Sequence, residues 1–412
     1  VASLLLAFGA QALAPSIMHA NDHDGSTPDL STGPSEASRY GNRSAYAAGP
    51  IETFSGQLHT LYGDAPSGSG IPSVTGYVLI DKNAQAVELL FNRQTSNSIG
   101  SPLSLNQKDV TITGQMTVAP LADGTAHTPL LTVRSLTHNA AAPNAGAAAA
   151  ANVSPTSFGV SGPQPWATLL CRFGDTPSVT THPVEWFQTL MLGTTAPGLE
   201  HFWRELSYNN VNLAGSGVYG WYNLPHPRSY YVSGNPLALD HLKAATDCTA
   251  AANADVNFPP FVGINLIFNG DLDGYAWGGS MTLTLDGAPK NYRITWLPPW
   301  GYENQGVVGH EMGHGFGLPH SSGDYQATYD SRWDVMSDIW DNCQQTWDPI
   351  YGCVGPHTIS YHKDILGWIP SVQKYTATPN TEKTIILERL GQPTSSSNYL
   401  MAQIPINGST TQ

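Results

Sequence analysis

The stretch His310-Glu-Met-Gly-His-Gly-Phe-Gly-Leu-Pro-His320 constrains the chain more than any other. On a helix, His310 and His314 fall one turn apart on the same face, so two imidazoles can reach one ion. Gly317 then lets the backbone leave the helix in a sharp turn, because glycine tolerates positive φ. His320 can swing back as a third ligand. Three nitrogen ligands leave a fourth position for water, the requirement of a catalytic zinc site rather than a closed structural one. Glu311 lies between the two histidines and is not expected to bind the metal. Beside the activated water it can take a proton and pass it to a leaving amine. The plain alternative is a helix with incidental histidines, and the offsets of Gly317 and His320 count against it.

The pattern HExxHxxGxxH followed by a methionine turn, for which Trp333-Asp-Val-Met-Ser337 is the candidate, resembles the metzincin metallopeptidases. Flanking stretches resemble the gametolysin-like branch of that family over about Trp166 to Pro370. They are Leu169-Leu-Cys-Arg-Phe-Gly-Asp175, Trp203-Arg-Glu-Leu-Ser-Tyr208, Gly220-Trp-Tyr222, Gly274-Tyr-Ala-Trp-Gly-Gly279 and His362-Lys-Asp-Ile-Leu-Gly-Trp368. The resemblance implies an α+β, two-lobed catalytic domain. A twisted mixed sheet would lie above the zinc-binding active-site helix, and a second helix near Thr358 to Leu366 below it. It also implies a hydrophobic floor at Met336 and a zinc-dependent endopeptidase acting on protein or peptide substrates. Some metzincins carry a zinc-reaching tyrosine two residues after that methionine. Here the position is Asp338, which speaks against a fifth ligand and against astacin-type or serralysin-type membership. The resemblance further makes Gly278-Gly279 and the strand after them an edge for substrate pairing, although a plain sheet strand reads equally well. Two other functions compete: a non-catalytic adhesion or binding protein on the same scaffold, and zinc hydrolysis of a non-peptide bond. Glu311 argues against the first, since a binding module has no need of a carboxylate there.

Charge narrows the partners. With 31 acidic against 17 basic residues the formal charge is −14, and no basic stripe exists for nucleic acid or an anionic membrane surface. Residues 1–20 read as a partial signal peptide, apolar from Val1 to Ala14 with a small-residue cleavage site at Met18-His19-Ala20. The run is too short to span a bilayer, so secretion is expected. In that setting the four cysteines suggest two disulfides. Cys343 and Cys353 bracket a short loop containing Trp and Pro, which leaves Cys171 with Cys248. Sequons stand at Asn42, Asn152 and Asn407.

The chain divides by composition into a flexible lead (21–50), a small β-rich domain (51–138), an Ala/Pro-rich linker (139–160), the catalytic domain (161–370) and the start of a further β region (371–412). In the small domain, runs such as Gly76–Ile80, Ala86–Phe91 and Asp109–Thr113 read as strands. In the larger one, Ala167–Phe173, Val218–Tyr222, Phe261–Phe268, Gly279–Leu285 and Tyr292–Trp296 read as strands. Pro183–Leu192, Pro197–Leu206 and Pro236 to about Ala252 read as helices.

The β-rich domain is either an inhibitory propeptide, a folding chaperone or a permanent accessory module. A cysteine switch is excluded, since no Cys precedes Ser157. Asp175, in Phe173-Gly-Asp175, sits in the catalytic domain's first strand and is not taken as an aspartate switch. Asp271-Leu-Asp-Gly274 offers two carboxylates beside a glycine turn, the makings of a Ca2+ site, but without the EF-hand pattern a solvated turn is preferred. Asp324, Asp330 and Asp334 could likewise serve calcium or support the centre, and no role is assigned to them. Tyr325 or Tyr329 could donate to an oxyanion near the zinc, although simple packing is the commoner role for such a tyrosine. Oligomeric state and cleavage preference are not legible.

Overall fold

The computed structural model describes residues 49–92, 95–96, 99, 102–117, 128–138, 159–234, 236–321, 329–343 and 345–405. The signal segment, almost all of the lead, the linker up to residue 158 and the three sequons lie outside the described residues.

The architecture is α+β, built on one ten-stranded mixed sheet with few helices. Its N-terminal half comprises β1 (Ile51–Asp64), β2 (Val74–Ile80), β3 (Ala86–Leu90), β4 (Asp109–Thr117) and β5 (Leu130–His138). These strands follow the order β2-β3-β5-β4-β1, and β1 pairs again with β2, so the five close into a ring. All neighbours are antiparallel except β3 and β5, which is the arrangement of an OB-type barrel. Alternate residues fill its interior, among them Leu58, Leu79, Leu89, Ile112, Leu131 and Val133. At 14 residues, β1 is long enough to serve two neighbourhoods. Its first half pairs with β4, its second with β2, and its last four residues also pair with the rest of the sheet.

The second half of the sheet contains β6 (Trp166–Arg172), β7 (Gly217–Asn223), β8 (Gly263–Phe268), β9 (Ala276–Leu285) and β10 (Ala288–Leu297). The order continues from β1 as β9-β10-β8-β6-β7. The β6, β7, β8 and β10 strands are mutually parallel, and β9 runs antiparallel to β10. Helices cover both faces, so β6 and β8 are buried almost without interruption rather than on alternate residues, and the polar Asn265 hydrogen-bonds Thr168 and Thr295. Along β8, Ile264, Leu266 and Phe268 enter one core, beneath helix α3 (His241–Ala252). Ile267 enters the other core, with α1 (Val184–Leu192) and α2 (Leu199–Leu206).

The strands and helices expected from the sequence appear within a few residues, with one correction. The helix expected from Pro236 begins at His241. Ala238–Leu239 pair with Val232–Ser233 instead, and Asp240 caps the helix by accepting the Lys243 N–H at 3.1 Å. At the C-terminal side, Lys374–Thr376 pairs in parallel with Met401–Gln403 over a small core of Ile369, Leu400 and Met401. Among the described residues no helix is long and apolar enough to cross a membrane.

Both disulfides pair as expected, Cys171 with Cys248 and Cys343 with Cys353, at Cα separations of 6.0 and 5.0 Å. The first ties β6 to α3 and closes a 77-residue separation; the second closes one of 10. If unfolded-chain entropy dominates, losing the first costs about 4 kcal/mol and the second about 3 kcal/mol. Urea melts of Cys171→Ala/Cys248→Ala and Cys343→Ala/Cys353→Ala are expected to show that order. The reverse order would place the effect in native packing instead.

Candidate metal centre

Helix α4 (Gln305–Gly315) carries the histidine motif and is buried on every side. It runs under β9 and over the segment 333–337, leaving little room for side chains between them. Gly313 shows why. A Cβ there would lie 2.4 Å from Met336 Sδ, so the methionine expected as a floor packs directly against the helix backbone. The helix ends in a Schellman motif, with Leu318 N–H donating to Gly313 O at 3.0 Å and Gly317 N–H to His314 O at 2.9 Å. Gly317 takes φ 97°, the left-handed conformation this turn requires. The chain thereby returns His320 toward the helix.

The three imidazoles converge. His310 Nδ1 lies 2.6 Å from Val335 O, and His314 Nδ1 lies 2.8 Å from Leu318 O. A carbonyl only accepts, so each Nδ1 carries a proton, and in the neutral ring each Nε2 presents a lone pair to the cluster. Yet His310 Nε2 and His314 Nε2 are 3.1 Å apart. Two lone pairs at that distance repel, and either a proton on one ring or a metal ion between the two and a third donor relieves the contact. His320 Nε2 is buried and faces the same point. This donor set, with second atoms fixed by backbone carbonyls, fits a divalent metal ion.

A fourth group belongs to the cluster. Asp64, the last residue of β1, is 7 % exposed. Its carboxylate lies 2.8 Å from His320 Nε2, 3.3 Å from His310 Nε2 and 3.4 Å from His314 Nε2. Ligand atoms of Asp64, His310, His314 and His320 all lie within 4.8 Å of one another, a group able to hold a metal ion. Tyr329 Oη–H donates to the same carboxylate. The Tyr62 ring stacks on His314 at 4.1 Å. Burial works to raise the Asp64 pKa, but the facing His320 and His310 hold it well below the carboxylate range.

Glu311 is fully buried, and neither carboxylate oxygen has a hydrogen-bond partner. Burial, and then the negative charge of Asp64, push its pKa well above the usual value. Glu311 lines the same cleft as Asp64 and His310, together with Trp300, Ser337 and Trp340.

The methionine turn is held by Asp334. Its Oδ1 accepts the Met336 N–H at 3.1 Å and the Thr358 hydroxyl at 2.6 Å, and its Oδ2 lies 2.7 Å from His362 Nδ1. Thr358 and His362 belong to helix α5 (Ser360–Ile365) and its approach, so this carboxylate ties the floor of the centre to the helix below. The other aspartates have different partners. Asp273 accepts from Trp277 Nε1 and Leu239 N, both at 2.9 Å, which accounts for its two oxygens without calcium. Asp175 accepts the Arg228 N–H at 3.0 Å and stands apart from the cluster. Asp330 accepts from Ser321. Asp324 and Tyr325 lie outside the described residues.

Sequence reasoning thus placed His310, His314, His320, Glu311 and Met336 together and missed Asp64. The available signal was Tyr62-Gly63-Asp64, a glycine–aspartate pair like Gly174-Asp175 but upstream of the linker. No family model matches the chain, and no curated protein matches it.

Burial works to raise the Asp334 pKa, but His362, Thr358 and the Met336 N–H together hold it below the usual value. A carboxyl depressed in the folded state contributes stability above its unfolded pKa of about 3.9, and that contribution is lost as pH falls through the folded value. Asp334→Asn is therefore expected to cost about 2–4 kcal/mol at neutral pH. The gap to wild type should narrow below about pH 4. Urea melts across that range check it; a gap independent of pH would show that the ionised carboxylate is not what holds the turn.

Proposed function

We propose that this chain is a zinc-dependent endopeptidase of the metzincin kind, similar to the gametolysin-like branch, and that it acts outside the cell. The observation that carries the reading is Glu311: a fully buried carboxylate without a hydrogen-bond partner, on the same helix turn as two convergent imidazoles. Burying such a group unpaired is costly, and a purely structural metal site has no use for it. A zinc ion held by His310, His314 and His320 would supply Lewis acidity, polarising a carbonyl and acidifying water at neutral pH. Glu311 then has the role of general base and acid, taking the proton of that water and returning it to the leaving amine. Burial and the charge of Asp64 raise its pKa, the direction that makes a carboxylate a better proton acceptor. Tyr329, whose hydroxyl donates to the Asp64 carboxylate at the cluster, would be the donor to a developing oxyanion once that carboxylate is gone.

That the substrate is a peptide is supported by β9. Its edge at Ala276–Gly279 accepts an extended strand running antiparallel across the histidine cluster. Main-chain pairing at a sheet edge recognises polypeptide and few other ligands. The two disulfides are compatible with an oxidising, extracellular setting.

Glu311→Gln is expected to keep the metal and lower casein cleavage by about 10²–10⁴-fold. Metal content and cleavage measured on the same preparation, with and without 1,10-phenanthroline, test this. Cleavage that survives the substitution, or survives the chelator, would sink the proposal.

A further inference from the structure

The general-base reading leaves Asp64 and the chain around it unused, although they fill the centre. Strand β1 pairs with the β9 edge through Leu61–Gly279, Tyr62–Gly278, Gly63–Trp277 and Asp64–Ala276. The β1–β2 loop beyond Asp64 continues through the cleft past Trp300 and Trp340, and Ser67 Oγ–H donates to Asp338 Oδ2 at 2.9 Å. The chain therefore crosses the histidines as an extended peptide would, in one direction and with main-chain pairing. What it presents to them is a side-chain carboxylate, 2.8–3.4 Å from all three Nε2 atoms. A carboxylate oxygen at that point would give a metal held by the three imidazoles a fourth protein ligand, in the position that a catalytic site keeps for water.

We propose that β1 and the β1–β2 loop are an internal inhibitor, with Asp64 as fourth metal ligand in the place of the water that Glu311 would deprotonate. The described chain is then the latent form. The ligand assignment stands on geometry alone; that it inhibits rests on the peptidase reading. Tethering explains how so short a contact suffices: an intramolecular ligand acts at an effective concentration of order millimolar or more. A cut between His138 and Gly159 removes the tether, and the plug becomes a dissociable ligand held by the β1–β9 pairing and the loop.

The test uses the full chain as wild type, Asp64→Ala and Asp64→Asn, each loaded with zinc or cobalt(II). Circular dichroism establishes that the variants fold, and Asp64→Asn preserves the side-chain volume. Both variants are expected to retain one metal and to show altered cobalt d–d bands. They should also lose metal to 1,10-phenanthroline and cleave casein at least about tenfold faster than wild type. Variants with wild-type bands and stripping rates would overturn the proposal, because Asp64 would not be a ligand. Folded variants that lose the metal on desalting would overturn it too, making Asp64 a permanent structural ligand. Altered bands and faster stripping without cleavage by any form would uphold Asp64 as the closing ligand and remove the peptidase reading instead.

Discussion

Four residues of β1, Leu61 to Asp64, pair with Ala276 to Gly279 of β9, and much else in the molecule follows from that pairing. It joins the barrel to the larger sheet, so that ten strands form one hydrogen-bonded surface. It sets the register that brings the Asp64 carboxylate and the Tyr62 ring over the histidines and turns Gly63 away from them. Because side chains alternate along a strand, a slip of one residue would turn the carboxylate to the opposite face. The ring stacking of Tyr62 on His314 and the Ser67 contact with Asp338 flank this register on either side.

The parts of the centre that could be seen in the sequence are those fixed by local geometry. His310 and His314 share a helix face because of the helical repeat, and Gly317 and His320 follow because a Schellman turn reverses the chain within a few residues. The two disulfides were legible from an even cysteine count in a chain read as secreted, with the short Cys343–Cys353 loop fixing one pair. Asp64 was not, because nothing local distinguishes it. It ends a strand whose partners lie both beside it and far along the chain, and one aspartate carries no spacing. The barrel was legible as several short strands, but its closure depends on β1 pairing with both β2 and β4. That double pairing arises from the length of β1, whose apolar residues do not alternate cleanly enough to mark it. The start of α3 was misplaced for a related reason: a short strand pairing at Ala238–Leu239 overrode the helical preference of the preceding segment.

Helix α4 shows how packing replaces intrinsic propensity. Glycine disfavours a helix by about 1 kcal/mol relative to alanine, and this helix is rich in it. Tertiary contact compensates. The close approach of Met336 at Gly313 brings the methionine turn against the helix, and through Val335 O that turn also orients the His310 ring. Asp334 fixes the turn in turn, by its contacts to Thr358 and His362. A chain of single contacts therefore runs from helix α5 through Asp334 and Val335 to the imidazole that faces the cluster.

Charge balance gives the arrangement its final constraint. Two carboxylates, Asp64 and Glu311, are buried near one another and near three imidazoles, and each raises the cost of ionising the other. Asp64 has the histidines as partners, whereas Glu311 has none. A divalent ion at the cluster would balance both negative charges, which makes the complete group neutral in a setting where uncompensated charge is expensive. Withdrawal of Asp64 leaves that balance short by one negative charge. The open centre would then attract an electron-rich group, a water oxygen or a peptide carbonyl, at the moment Glu311 loses its nearest like-charged neighbour. On the proposed reading, the residue that closes the cluster is thus also the one whose departure would adjust the base beside it.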